Sequence, residues 1–86
     1  MFHMEHRNAR IAKAVPQVIL DEMRSQNMEV HHLARQSGMT ARKLRCRLLG
    51  LRPVTILELS NLAETLGLTI PDVIDRAAES IDKPRE

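Results

Sequence analysis

The sequence predicts an all-α fold, a compact five-helix bundle. Three observations carry that expectation. Apolar residues recur at three- and four-residue spacings along the 86 residues, and no stretch alternates with period two over the length of a strand. Asn27, Gly38, Gly50 and Gly67 follow four of the periodic segments, where a left-handed residue commonly stops a helix. Thr40, Thr55 and Thr69 stand where helices would open, and Thr is a good N-cap. A chain of this length holds one small domain.

The first helix is expected over 16–26, with Val15, Val18, Ile19 and Met23 on one side. Pro16 marks its start, because proline fits a first helical turn. The preceding segment 8–15 is helix-compatible, with Ile11 and Val15 four apart, and reads as a separate turn, a kinked extension or a loose arm. Residues 1–14 are therefore an N-terminal arm or helical extension, 15–81 the domain, and 82–86 a frayed tail. A short second helix is expected over 30–37, with Val30, Leu33 and Ala34 inward and Gly38 ending it.

The third helix, 41–49, follows the N-cap Thr40 and buries Leu44 and Leu48. In the fourth, Thr55 and Glu58 have capping-box spacing, followed by a stripe of Ile56, Leu59, Leu62, Ala63 and Leu66. Thr69 and Pro71 open the fifth, with Val73, Ile74, Ala77 and Ile81 inward and Asp72 in the first turn, where a negative charge suits the helix dipole. Leu49, Leu51, Val54 and Leu57 form an apolar excess that either fills the core beneath the loop or serves a contact between copies.

Composition excludes several function classes. With one Phe and no Trp or Tyr, the chain lacks the aromatic platforms on which single-stranded nucleic acids stack. The lone Cys46 forms no internal disulfide, and no cysteine cluster is present to hold zinc, which fits a reducing cytoplasm. Charges at Glu5, Arg7 and Arg10 interrupt any signal-peptide core, and no apolar run approaches a membrane span. No paired-carboxylate, nucleophile–base or phosphate-loop arrangement is present, so neither catalysis nor a cofactor is expected.

The net charge of +2 hides a pattern. Residues 1–29 balance, with four basic and four acidic side chains. From Val30 to Leu57 stand six basic residues (Arg35, Arg42, Lys43, Arg45, Arg47, Arg52) and no acid. Residues 58–86 carry seven acids against three bases. Such asymmetry points to a central surface that faces a polyanion. On a helix over 41–49, Arg42, Arg45, Cys46 and Leu49 point away from Leu44 and Leu48, while Lys43 and Arg47 flank them. A plain solvated face would mix signs to gain i,i+4 pairs, and this one does not. The histidines His3, His6, His31 and His32 are better read as surface polarity than as a metal site. Neighbouring positions on a helix diverge by about 100°, and no ligand partner is suitably spaced.

Gly38-Met39-Thr40, Leu44, Gly50, Pro53, Glu58-Leu59 and the run Ala63-Glu64-Thr65-Leu66-Gly67-Leu68-Thr69 resemble the phage-repressor (Xre-like) helix-turn-helix domain. The likeness covers residues 15–75, includes Leu33-Ala34 and the twelve-residue step from Gly38 to Gly50, and is strongest to small regulators of actinobacterial phages. It implies a five-helix bundle of the lambda-repressor-like type whose third helix reads double-stranded DNA. Ala41 and Arg42 would then reach base edges, with a further reading position at Arg45 or Cys46. A bidentate Arg42–guanine pair is worth about 1–3 kcal/mol of discrimination. Thr40, Lys43, Arg45, Arg47, Arg52 and His31 would touch phosphates, which position a protein without reading sequence.

The chain departs from the family pattern in places. Val30 stands where members usually carry a backbone-contacting Gln. Leu48 and Met23 replace a Glu–Arg pair by an apolar contact, and Arg47 takes a commonly apolar place. The implied function is a transcriptional regulator, most simply a repressor, acting as two copies on a two-fold operator. The alternatives are a protein-interaction module, an antitoxin or adaptor held through the acidic C-terminal end, and an excisionase-like architectural DNA binder.

Overall fold

The structure is a computed structural model. It describes residues 2–82, with side-chain surroundings from His6 onward. Five helices follow in order: α1 (Phe2–Ser25), α2 (Val30–Ser37), α3 (Ala41–Leu48), α4 (Ile56–Leu66) and α5 (Ile70–Asp82). No strand occurs among the described residues. None of the helices is long and apolar enough to cross a membrane. The fold is the expected all-α bundle, with a radius of gyration of 12.9 Å.

The first helix corrects the reading of Pro16 as a start. Proline lies inside a 24-residue helix, and the segment before it is its continuation rather than a turn or loose arm. Pro16 lacks the N–H that would bond the Ala12 carbonyl, so one rung of the ladder is missing. Contacts distant in sequence offset that loss. The N-terminal half of α1 lies along α5, the most extensive helix pairing in the molecule. Arg7 Nη1 and Nη2 donate to the two carboxylate oxygens of Asp82 at 2.6 and 3.0 Å, and Arg10 Nη2 donates to the Ile81 carbonyl at 3.2 Å. Further along, Arg76 reaches Glu22 at 2.6 Å. Asp82, read as the first residue of a frayed tail, is thus helical and paired, while 83–86 lie outside the described residues.

The local signals of α2 to α5 are realised nearly residue for residue. Asn27 adopts φ 57° after α1, with Met28 N–H donating to the Met23 carbonyl at 2.8 Å. Gly38 adopts φ 80°, a left-handed value that costs an L side chain about 1–2 kcal/mol, and Met39 N–H closes back on the Ala34 carbonyl. Thr55 and Glu58 form the reciprocal capping box. Thr69 and Asp72 repeat it at the start of α5: Thr69 N–H donates to Asp72 Oδ2, and Asp72 N–H to Thr69 Oγ1.

The core draws on every helix: Val15, Val18, Ile19 and Met23 from α1, Leu33 and Ala34 from α2, Leu44 from α3, Leu59, Leu62, Ala63 and Leu66 from α4, Val73 and Ala77 from α5. Leu48 and Val54 are half-buried against it. The rest of the apolar excess is not core. Leu49, Leu51 and Leu57 are 73%, 70% and 70% exposed, and Ile56, expected within the α4 stripe, is 73% exposed. Ile56 and Leu57 both fall in the first turn of α4: Leu57 is turned away from Leu59 and Leu62, whereas Ile56 lies about 60° from Leu59, beside the groove that both line, and is exposed at the start of the helix.

Candidate nucleic-acid interface

The site is built from the turn between α2 and α3 outward. The left-handed Gly38 lets α3 leave α2 at once, two residues later, on a capped start. Thr40 Oγ1 accepts from Lys43 N–H at 3.1 Å, satisfying one of the unpaired donors at the helix N-terminus. Leu44, fully buried, pins the middle of α3 to the core. At 100° per residue, this anchor places Arg45, Leu49, Arg42 and Cys46 in succession around the opposite arc. Arg42, Lys43 and Arg45 are exposed, and Cys46 is half-buried with a free thiol.

Arg42, Lys43, Arg45, Arg52 and, on α2, Arg35 have no ion-pair partner among the described residues. Five cations on one continuous stretch of 18 residues therefore depend on water and counter-ions. Arg52 lies in the loop after α3, beside Gly50 and Pro53.

Arg47, the other cation of this stretch expected at phosphate, is paired within the fold. Its Nε and Nη2 donate to Glu58 Oε1 and Oε2 at 2.9 and 3.0 Å, with the two side chains only 12% and 14% exposed. This bidentate pair is the geometry in which Arg and carboxylate match best. Glu58 also accepts Thr55 N–H at 3.0 Å, so one carboxylate closes the α4 cap and holds the last turn of α3. Its pKa is lowered to about 2, chiefly by the Arg47 hydrogen bonds, against the cost of burial, with help from Thr55 N–H and from the charges of Arg47 and Lys43. The capping signal at Glu58 was legible in the sequence. Its second partner, eleven residues back, was not.

Ala41, which the resemblance implies at base edges, is the first residue of α3. It is half-buried and packs against the core, leaving Arg42 as the first outward residue of α3. His31 is exposed in the first turn of α2, with Nδ1 3.4 Å from Glu29. Its ring is thus shared with an acid that would compete with a phosphate. His32 lies within 2.9 Å of Gln36 on the same helix. Among the described residues no group of three His, Cys, Asp or Glu side chains is close enough to hold a metal ion.

Two of the four described acids of the C-terminal end, Asp72 and Asp82, are engaged within the fold. Asp72 caps α5, and its pKa is lowered first by the Thr69 backbone N–H. Asp82 is lowered by its hydrogen bonds from Arg7. Asp75 and Glu79 remain exposed without an ion-pair partner among the described residues. Compared with family models, with curated proteins and with solved structures, the chain gives no match.

Proposed function

We propose that the protein binds double-stranded DNA in a sequence-specific way, as a lambda-repressor-like helix-turn-helix domain that lays α3 in the major groove. Its simplest use is as a transcriptional repressor that occludes a promoter. The observation that carries this reading is the outer arc of α3. Arg42, Lys43 and Arg45 stand there exposed, with no acid on the helix and no ion-pair partner among the described residues. Of the cations on α3, Arg47 alone is held in an ion pair among the described residues, and a polyanion supplies partners for Arg42, Lys43 and Arg45. The resemblance of residues 15–75 to phage repressors supports the same reading.

Roles divide by position. Arg42, near the N-terminus of α3, is the base reader, with Arg45 and Cys46 one turn further along. Lys43 and Arg52 are phosphate contacts, with Thr40 at the helix N-terminus beside them. Arg47 serves the fold. With Lys43 and Arg52 neutralising two phosphates per protomer, log affinity falls with log salt at a slope of about −1.8.

The deciding experiment selects bound sites from a random duplex library with wild type and with Arg42→Ala. An enriched consensus that relaxes at one base pair in the variant establishes readout by Arg42. Absence of any enriched sequence removes sequence-specific binding, and a flat salt response removes the polyanion altogether.

A further inference from the structure

We propose that the groove between α1, the loop after α3 and the start of α4 binds a short acidic, aliphatic segment of another protein. The proposal does not rest on DNA binding.

The groove holds about 360 Å³, which is within the range of recesses that take an organic ligand. Val15 and Leu59, both core residues, give its base, and Pro16, Val54, Ile56 and Ile74 complete its apolar lining. These side chains come from α1, the loop, α4 and α5, so the fold itself brings them to one recess. Ile56, 73% exposed, is the lining residue that an occupant would take out of water.

The charges around the groove say what fits it. Lys13 and Arg52 line it, both exposed and both without an ion-pair partner among the described residues. No acid lines it among the described residues. Lys13 also lines a second, open hollow of about 560 Å³, with His6, Arg7, Ala9 and Arg10. The apolar recess therefore runs on into a cationic one along α1. Arg7 is committed to Asp82, and Arg10 gives an N–H to the Ile81 carbonyl. Lys13 and Arg52 are left for the occupant. An aliphatic anchor flanked by acids matches both parts of this surface at once.

Length and polarity favour a peptide over a free fatty acid. From His6 to Pro16 the surface runs about 15 Å along the axis of α1, roughly the reach of five extended residues. Lys13 and Arg52 call for more than one negative charge, and a fatty acid carries a single head. Ala12, whose carbonyl finds no N–H at Pro16, stands in the same lining, and a peptide brings N–H donors that an alkyl chain lacks. Arg52 is also assigned above to phosphate, so a bound segment and a duplex would compete for it.

The test selects from a displayed library of short random peptides against the full chain without DNA. Enriched peptides are then made synthetically and measured by calorimetry and methyl NMR. They are expected to carry an aliphatic side chain close to two or more acids, and to shift the methyl signals of Val54, Ile56 and Ile74. Lys13→Glu and Ile56→Glu should each weaken binding by about tenfold or more. An acid at position 56 stands in the first turn of α4, where the helix dipole favours it, so both variants should melt as wild type does. Arg24→Glu makes the same charge change in the last turn of α1 and should leave binding unchanged. No enriched peptide, or enriched peptides indifferent to both Lys13→Glu and Ile56→Glu, overturns the proposal. Decanoate bound as tightly as the peptides gives the groove to a free amphiphile and overturns it too. So does a dimer in sedimentation equilibrium whose contact covers Ile56. Peptide binding as expected, in a chain that selects no duplex sequence, upholds the groove and removes only the DNA reading.

Discussion

The two ends of this molecule treat charge in opposite ways. Where α1 meets α5, cations and acids meet across the helix pair: Arg7 with Asp82, Arg76 with Glu22, and Arg10 on a carbonyl of α5. From α2 to the loop after α3, Arg35, Arg42, Lys43, Arg45 and Arg52 form no ion pair among the described residues. The first region shows that this chain places acids opposite bases where the fold itself is served. Their absence around α3 is therefore informative, and Arg47 sharpens the contrast. It lies in the same basic stretch, yet it turns inward to Glu58. Position on the helix, and not membership of a charge run, decides which cations face outward.

Substitutions along α3 and its supports test that division, beginning with the anchor. Leu44→Ala removes a fully buried side chain and should cost about 3 kcal/mol in urea unfolding. If it costs under 1 kcal/mol, α3 is not seated as described. Glu58→Ala removes both the cap and the partner of Arg47, for an expected loss of about 2 kcal/mol.

The same carboxylate predicts a pH dependence. Its folded pKa, about 2, lies below the ordinary 4.5, so its contribution is complete above about pH 4.5 and is lost as pH falls toward 2. Glu22, Asp72 and Asp82, also lowered, act in the same direction. Wild type should lose stability with acid over this window, and Glu58→Gln should lose less.

Thr40→Ala should cost about 1 kcal/mol by freeing the Lys43 N–H. The smallest effect on stability belongs to Arg42→Ala and Arg45→Ala. Their unfolding midpoints should equal or slightly exceed wild type, because no ion pair among the described residues is lost and like charges on α3 are thinned. A marked drop would mean these arginines serve the fold, and the contrast with α1 and α5 would collapse.

What was readable in the sequence follows the range of the forces involved. Caps and stops act over three to five residues, so Thr40, Gly38, the Thr55–Glu58 box and Gly67 announce α2, α3 and α4 directly. The reach of α1 through Pro16 depends on contacts with Ile81 and Asp82, some seventy residues away, which no local pattern contains. The pairing of Arg47 was hidden for the same reason, since its partner belongs to another helix. Periodicity also overcounted the core. Ile56 keeps the spacing of the α4 stripe yet is exposed in the first turn of the helix, and Leu49, Leu51 and Leu57, for which core and a contact between copies both stood open, lie outside the core. The exposed arc around Arg42 and Arg45 was legible because a single buried leucine fixes the phase of a short helix.

Leu44 and Arg47 have a mechanical consequence. They lie one turn apart and about 60° around the axis of α3, one seated in the core and the other clamped to α4. Two attachments on one side of an eight-residue rod suppress roll as well as translation. A roll of about 10° would swing a side chain at the outer radius about 1 Å sideways, enough to misalign a fork of hydrogen bonds. The Arg47–Glu58 pair thus acts as a torsion stop, and the direction in which Arg42 and Arg45 leave the helix is settled before anything arrives to meet them.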